Sequence, residues 1–221
     1  MKQVDSYNLF QSNKNLRAYQ GESYNGLPVM ESIGTYVKQY LDRAHETIQR
    51  AWRAYPRLLA IRVDPRYPAD WTSFDSQDIQ RFIRSLKEQI KHDRIRAQRN
   101  LNRAHDSGLY YVWAKEYGAG GRPHYHCLLM FNGDAYHTVG SYNSENENMY
   151  RRVTNAWASA LGVSYHEAKG LVHIPENCIY RPNRRDGETA INDLFQRTSY
   201  LCKADTKRFG DGGHAFGCSR A

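Results

Sequence analysis

Residues 116–131 read Glu-Tyr-Gly-Ala-Gly-Gly-Arg-Pro-His-Tyr-His-Cys-Leu-Leu-Met-Phe, and no other stretch restricts the fold as much. A glycine-rich turn at 117–123 separates a strand expected over 109–116 from a returning strand over 124–132, so the two form a hairpin. Side chains two apart in a strand share a face. His124, His126, Leu128 and Met130 therefore lie on one face, and Tyr125, Cys127, Leu129 and Phe131 on the other. Neither face is polar along its length, so the strand is expected to be central in its sheet and covered on both sides.

The rest of the chain supplies elements for that cover. Val29, Ile33, Val37 and Leu41 follow helical spacing over 28–52, and Pro28 suits a first helical position. An apolar run at 58–63, closed by Asp64-Pro65 and Pro68, predicts a strand. A long helix is expected over 75–103 on an apolar stripe of Phe82, Ile83, Leu86 and Ile90. Further helices are expected over 147–161, ended by Gly162, and over 189–207, with short strands at 171–174 and 178–180. Residues 1–26 read as a loosely held polar arm, and 209–220 as irregular and glycine-rich. With 221 residues and no linker, the chain fits one α+β domain over 27–221, with 27–52 as an accessory helix.

Lysine and arginine number 31 against 23 acidic residues, a formal charge of +8 that favours a polyanionic partner. Arg84, Lys87, Lys91 and Arg94 follow helical spacing on one flank of the 75–103 helix. They form either a solvated face or a track for a nucleic-acid backbone. Arg122 and Lys207 join them as candidate contacts. The four cysteines form no C-x-x-C pair and read as reduced thiols. There is no membrane span and no hydrophobic leader, so a cytoplasmic location is expected.

Two constellations carry chemistry. If the hairpin pairs Glu116 with His124, a carboxylate and two imidazoles converge from one face on a single divalent ion, with coordination positions left open. A slip of one residue would turn Glu116 away. Such a ligand set suits Mn2+ or Mg2+, and also iron or zinc. Gly118 followed by His124-x-His126 also fits the opening of a cupin motif, but Met130 and Phe131 stand where that motif needs glutamate. The second constellation is Tyr200-x-x-Lys203. On a helix Tyr200 would fall opposite the stripe of Ile191, Leu194, Phe195, Thr198, Leu201 and Cys202, beside Gln196, Lys203 and Lys207. It is either an incidental surface tyrosine or a nucleophile whose phenolate the lysine favours.

His124-Tyr-His126 with the following apolar run resembles motif two of the His-hydrophobic-His (HUH) replication initiators and relaxases, and Tyr200-x-x-Lys203 resembles their motif three. Within that superfamily the chain is similar, from about residue 58 to the C-terminus, to the inovirus-type Gp2 or YagK/YfjJ-like replication proteins of filamentous phages and integrated elements. Gln196 stands where two-tyrosine initiators carry a second tyrosine, so the single-tyrosine kind is implied. The resemblance implies a ferredoxin-like or RRM-like antiparallel sheet with the histidine strand central and the tyrosine helix beside it. It implies a rolling-circle replication initiation endonuclease. Tyr200 and Lys203 are then catalytic, and Glu116, His124 and His126 hold Mn2+ or Mg2+. The substrate is single-stranded or hairpin DNA at a replication origin, cut to a 5′-phosphotyrosyl adduct and a free 3′-hydroxyl. No G-x-x-x-x-G-K-[ST] is present, so a host helicase would be recruited. The alternatives are a catalytically inactive DNA-binding or regulatory module and a metal-dependent, cupin-like oxygenase.

Overall fold

The computed structural model describes residues 10, 13, 15–101, 104–118, 120–209 and 213–220. Two short antiparallel ladders come first, β1 (Ala18–Tyr19) with β4 (Tyr36–Val37) and β2 (Ser23–Tyr24) with β3 (Leu27–Pro28). Then follow α1 (Lys38–Ala54), β5 (Leu58–Pro65), α2 (Asp78–Asn100), β6 (Tyr110–Tyr117) and β7 (Pro123–Asn132). The chain continues through α3 (Met149–Leu161), the one-turn α4 (Tyr165–Ala168), β8 (Val172–His173), β9 (Ile179–Tyr180), α5 (Asn192–Ser199) and β10 (Phe216–Cys218).

The main sheet is antiparallel, in the order β10-β6-β7-β5-β8, with β9 also paired to β5. The alternation in β7 sorts its two faces as the sequence predicts. Leu128 and Met130 join Leu58, Ala60, Val112 and Ala114 under α1 and α5. Tyr125, Cys127, Leu129 and Phe131 join Leu59, Ile61 and Trp113 under α2 and α3. The molecule is thus mixed α and β, with helices covering both faces of one antiparallel sheet. Each large apolar side chain so covered contributes about 1.5–3 kcal/mol. Among the described residues no helix is long and apolar enough to cross a membrane.

The local signals behind the helices are plain in places. Asn148 caps α3 by accepting from the Arg151 N–H, and Gly162 ends it with φ 71°. The expected helix over 28–52 is realised only from Lys38. Asn25 and Gly26, with φ 50° and 79°, turn the chain into the β2–β3 hairpin instead. Such a turn outweighs the apolar spacing. Val29 and Val37 are still buried, which is why their spacing imitated a helix. The arm expected over 1–26 is not loose over 15–26, where β1 and β2 lie and Tyr24 is buried.

The helix expected over 189–207 is also broken. Glu188–Ile191 and Tyr200–Cys202 are 3-10 turns flanking α5, and Lys203 leaves the helix with ψ 146°. The end expected to be irregular contains β10, the edge strand beside β6. Gly217 is required there, because a Cβ would lie 2.5 Å from the Trp113 indole.

Candidate metal and tyrosine site

Glu116 and His124 are direct partners across the β6–β7 ladder, the register on which the metal reading depends. With His126 they bring one oxygen and two nitrogens within 4.8 Å of one another. All three come from the sheet face that α5 covers. There the 3-10 turn after α5 sets the Tyr200 ring 5.5 Å from the His126 ring, edge to face. Residues 84 and 74 positions apart in sequence from Glu116 and His126 thus share the site of Tyr200 only through the packing of α5 on the sheet.

His126 is buried, and its Nδ1 lies 2.8 Å from Asp64 Oδ1. Facing an ionised carboxylate, that nitrogen is favoured as the one that carries a proton. The proton on Nδ1 frees Nε2 to act as a ligand, the arrangement by which a carboxylate orients a metal-binding histidine. Burial works against charging this imidazole, but Asp64 and Glu116 outweigh it and raise its pKa. His124 is shifted the other way, by burial and by the neighbouring His126, which favours the neutral form. Arg62 closes the group. Its Nε is 3.3 Å from Asp64 Oδ1, its Nη2 is 3.1 Å from His126 Nδ1, and its guanidinium lies 4.9 Å over the Tyr200 ring.

Glu116 is buried among cations. Lys203 Nζ is 2.8 Å from Oε2, Lys207 Nζ is 3.1 Å from Oε1, and Thr206 Oγ1 donates to Oε2 at 2.7 Å. Burial alone would raise the carboxyl, but His126, Lys207 and Lys203 outweigh it and hold it well below the usual carboxylate range. Lys203 reaches two ways, for the same Nζ donates to Tyr200 Oη at 2.6 Å. Lys207 is shifted down by burial, partly offset by Glu116.

The donor set fits a divalent ion. It offers two imidazoles, of which one is oriented by Asp64, and one ionised carboxylate, and His124 is only half-buried and so leaves an approach from solvent. To join such an ion, one Glu116 oxygen would exchange a lysine contact for the metal.

The expected nucleic-acid contacts divide. Arg84, Lys87 and Lys91 are exposed on α2 and make no ion pair among the described residues. Arg94 is engaged with Asp93 at 2.6 Å and with the Tyr136 ring, which fixes it within the fold. Arg122 donates to the carbonyls of Pro68 and Ala69 and so holds the glycine turn in place. Lys207, expected on an exposed helix face, has a fully buried side chain, because the chain turns inward after Cys202 to pair it with Glu116. Sequence reasoning passed over Arg62, Asp64 and Thr206. A signal was present: Arg62 and Asp64 alternate along an otherwise apolar strand, and two charges on one face of a buried strand require partners.

Comparison with known proteins places the chain. The model of the YagK/YfjJ C-terminal domain matches residues 19–219, including the region before residue 58 in which little likeness was expected. The "Uncharacterized protein YagK" of Escherichia coli (strain K12) is 35% identical over 198 residues, covering 85% of this chain and 95% of its own. The "Uncharacterized protein YfjJ" of the same organism is 36% identical over 201 residues, covering 85% and 97%. No solved structure matches.

Proposed function

This chain belongs to the YagK/YfjJ C-terminal domain family, and from that premise we propose that it is a single-tyrosine, metal-dependent endonuclease of the HUH type that nicks single-stranded DNA to initiate replication. The observation that carries the reading is Lys203 Nζ, set between Tyr200 Oη at 2.6 Å and Glu116 Oε2 at 2.8 Å. It ties a phenol to the histidine–carboxylate cluster, across elements distant in sequence. A tyrosine placed there by packing alone would need no such link.

The strand arrangement supports a ferredoxin-like core. Strands β5, β6, β7 and β9 lie in the spatial order β6-β7-β5-β9, with α2 after the first strand and α3 after the third. That is the order of a βαββαβ unit. Both helices pack on one face, and the opposite face carries the histidines and is covered by α1 and α5.

In the proposed reaction Tyr200 Oη attacks the scissile phosphorus. A bond from Oη to phosphorus forms, and the bond from phosphorus to the 3′ oxygen breaks. The phenolic proton is balanced by the proton gained on the departing 3′ oxygen, giving a 5′-phosphotyrosyl adduct and a free 3′-hydroxyl. Mn2+ or Mg2+, held by Glu116, His124 and His126, would supply a Lewis acid toward a phosphate oxygen. Lys203 stabilises negative charge on the phenol oxygen. Arg62 and His126 fix the ring from two sides, and Asp64 fixes His126.

The test is incubation of labelled single-stranded oligonucleotides with the protein and Mn2+, resolved on a denaturing gel. A covalent adduct that maps to Tyr200, disappears in Tyr200→Phe and falls about 10²–10³-fold in rate in Lys203→Ala is expected. Full activity in Tyr200→Phe, or an adduct on another tyrosine, would sink the mechanism. DNA binding with no adduct under any condition would leave a binding module.

A further inference from the structure

Away from the tyrosine site, α1 carries Arg43, Arg50 and Arg53 at spacings of seven and three residues, with Glu46 between them. At 3.6 residues per turn these positions share one face. They line a groove of about 430 Å³ against the end of β10, where Ser219 and Arg220 complete the wall. Four arginines therefore face one glutamate, and none of the four makes an ion pair among the described residues. Arg50 Nε is buried with no hydrogen-bond partner, while its Nη2 is held by the Ser219 carbonyl. The buried arginines Arg62 and Arg152, by contrast, each contact a carboxylate.

The groove is continuous with the basic flank of α2. Ser219 is joined to Tyr111 by two hydrogen bonds of 2.9 Å, and the Tyr111 ring carries Lys87 Nζ at 5.4 Å on its other side. A band of positive charge thus runs from α2, over the β10 edge of the sheet, to α1. It joins two helices that lie on opposite faces. Tyr111 stands five residues before Glu116 on β6, about 17 Å away at the rise of an antiparallel strand.

We propose that this band is a second nucleic-acid contact, which grips the phosphate backbone of the DNA flanking the cut strand about 17 Å from the tyrosine site. The inference rests on DNA being the substrate proposed above, but not on covalent chemistry. Arginine suits it, since its planar fork meets phosphate oxygens in pairs. Because contact is with phosphate, the band sets affinity and register and reads no base.

The test uses the full chain and two single-stranded probes, one of about 30 nucleotides and one of about 3, the latter too short to reach from Tyr200 to Tyr111 at about 3.4 Å per stacked phosphate. The variant R43Q/R53Q/R220Q changes exposed side chains and leaves Arg50 in place. Its Kd for the long probe should rise at least about tenfold, and the slope of log K against log salt should flatten by about 2. Its Kd for the short probe should match that of the wild type. The charge-keeping variant R43K/R53K/R220K should retain the slope. Unchanged affinity and slope on the long probe would overturn the proposal, as would equal losses on both probes. The readout is binding, so an absence of cleavage in the wild-type protein would count against the nuclease reading and leave this result intact.

Discussion

Asp64 shows how much a single side chain decides in this site. It is not one of the three expected ligands, yet its carboxylate holds Nδ1 of His126 and anchors Arg62 against Tyr200. Burial would raise its pKa, but His126 and Arg62 hold it in the charged form and lower it. Asp64→Asn preserves shape while removing that charge. Mn2+ affinity measured by calorimetry is expected to fall about 10–100-fold, as for other partners of metal-bound histidines. Unchanged affinity would mean that His126 is oriented without Asp64. In the sequence Asp64 read as the residue before Pro65 that closes a strand, and its alternation with Arg62 was the signal passed over. Its role depends on β5 pairing with β7, with Val63 opposite Cys127.

At the scale of elements, α2 and α3 are joined by a polar knot beside their apolar contacts. Asp93 accepts from Arg152 at 2.6 Å, from Arg94 at 2.6 Å and from Tyr136 at 2.7 Å. Burial opposes its ionisation, but Tyr136, Arg94 and Arg152 prevail, and its pKa is lowered. A depressed carboxyl contributes stability that is present above its unfolded pKa, near 3.9, and is lost as the pH falls through the lower folded value. Asp93→Asn is expected to cost about 3 kcal/mol at pH 7 in urea unfolding, because it leaves arginines without their counter-charge. The same substitution should flatten the acid limb of stability below about pH 4. A wild-type acid limb in the variant would assign that limb to other carboxylates, with Glu116 and Asp64 the next to test.

For the molecule as a whole, the residues before α1 are structural. Tyr36 is fully buried and bridges Lys203, the Met30 N–H donates to Ser199 Oγ at 2.9 Å, and the Ala204 N–H donates to the Thr35 carbonyl. These contacts brace the turn that carries Tyr200 and Lys203. A chain begun at residue 38 would expose α5 and lose the burial of Tyr24, Leu27, Val29, Tyr36 and Val37. It is expected to melt at least about 10 °C lower than the full chain, and to lose any Tyr200 adduct together with that stability. An unchanged melting temperature would show that this segment only rests on the surface.

The β6–β7 hairpin, its two covered faces, the placing of Glu116, His124 and His126 on one face and the long helix over residues 78–100 were all readable in the sequence, because they depend on periods of 2 and 3.6 and on a turn joining neighbours in the chain. The tertiary structure alone decided which groups meet those three side chains. Lys203 and Lys207 leave the helix that periodicity predicts, because Glu116 buries a charge that needs cations. The N-terminal hairpin and β10 escaped the reading for a related reason. Asn25-Gly26 and Gly217 are local marks, but what makes them necessary is contact with chain far away, and periodicity along a segment carries no record of its distant partner.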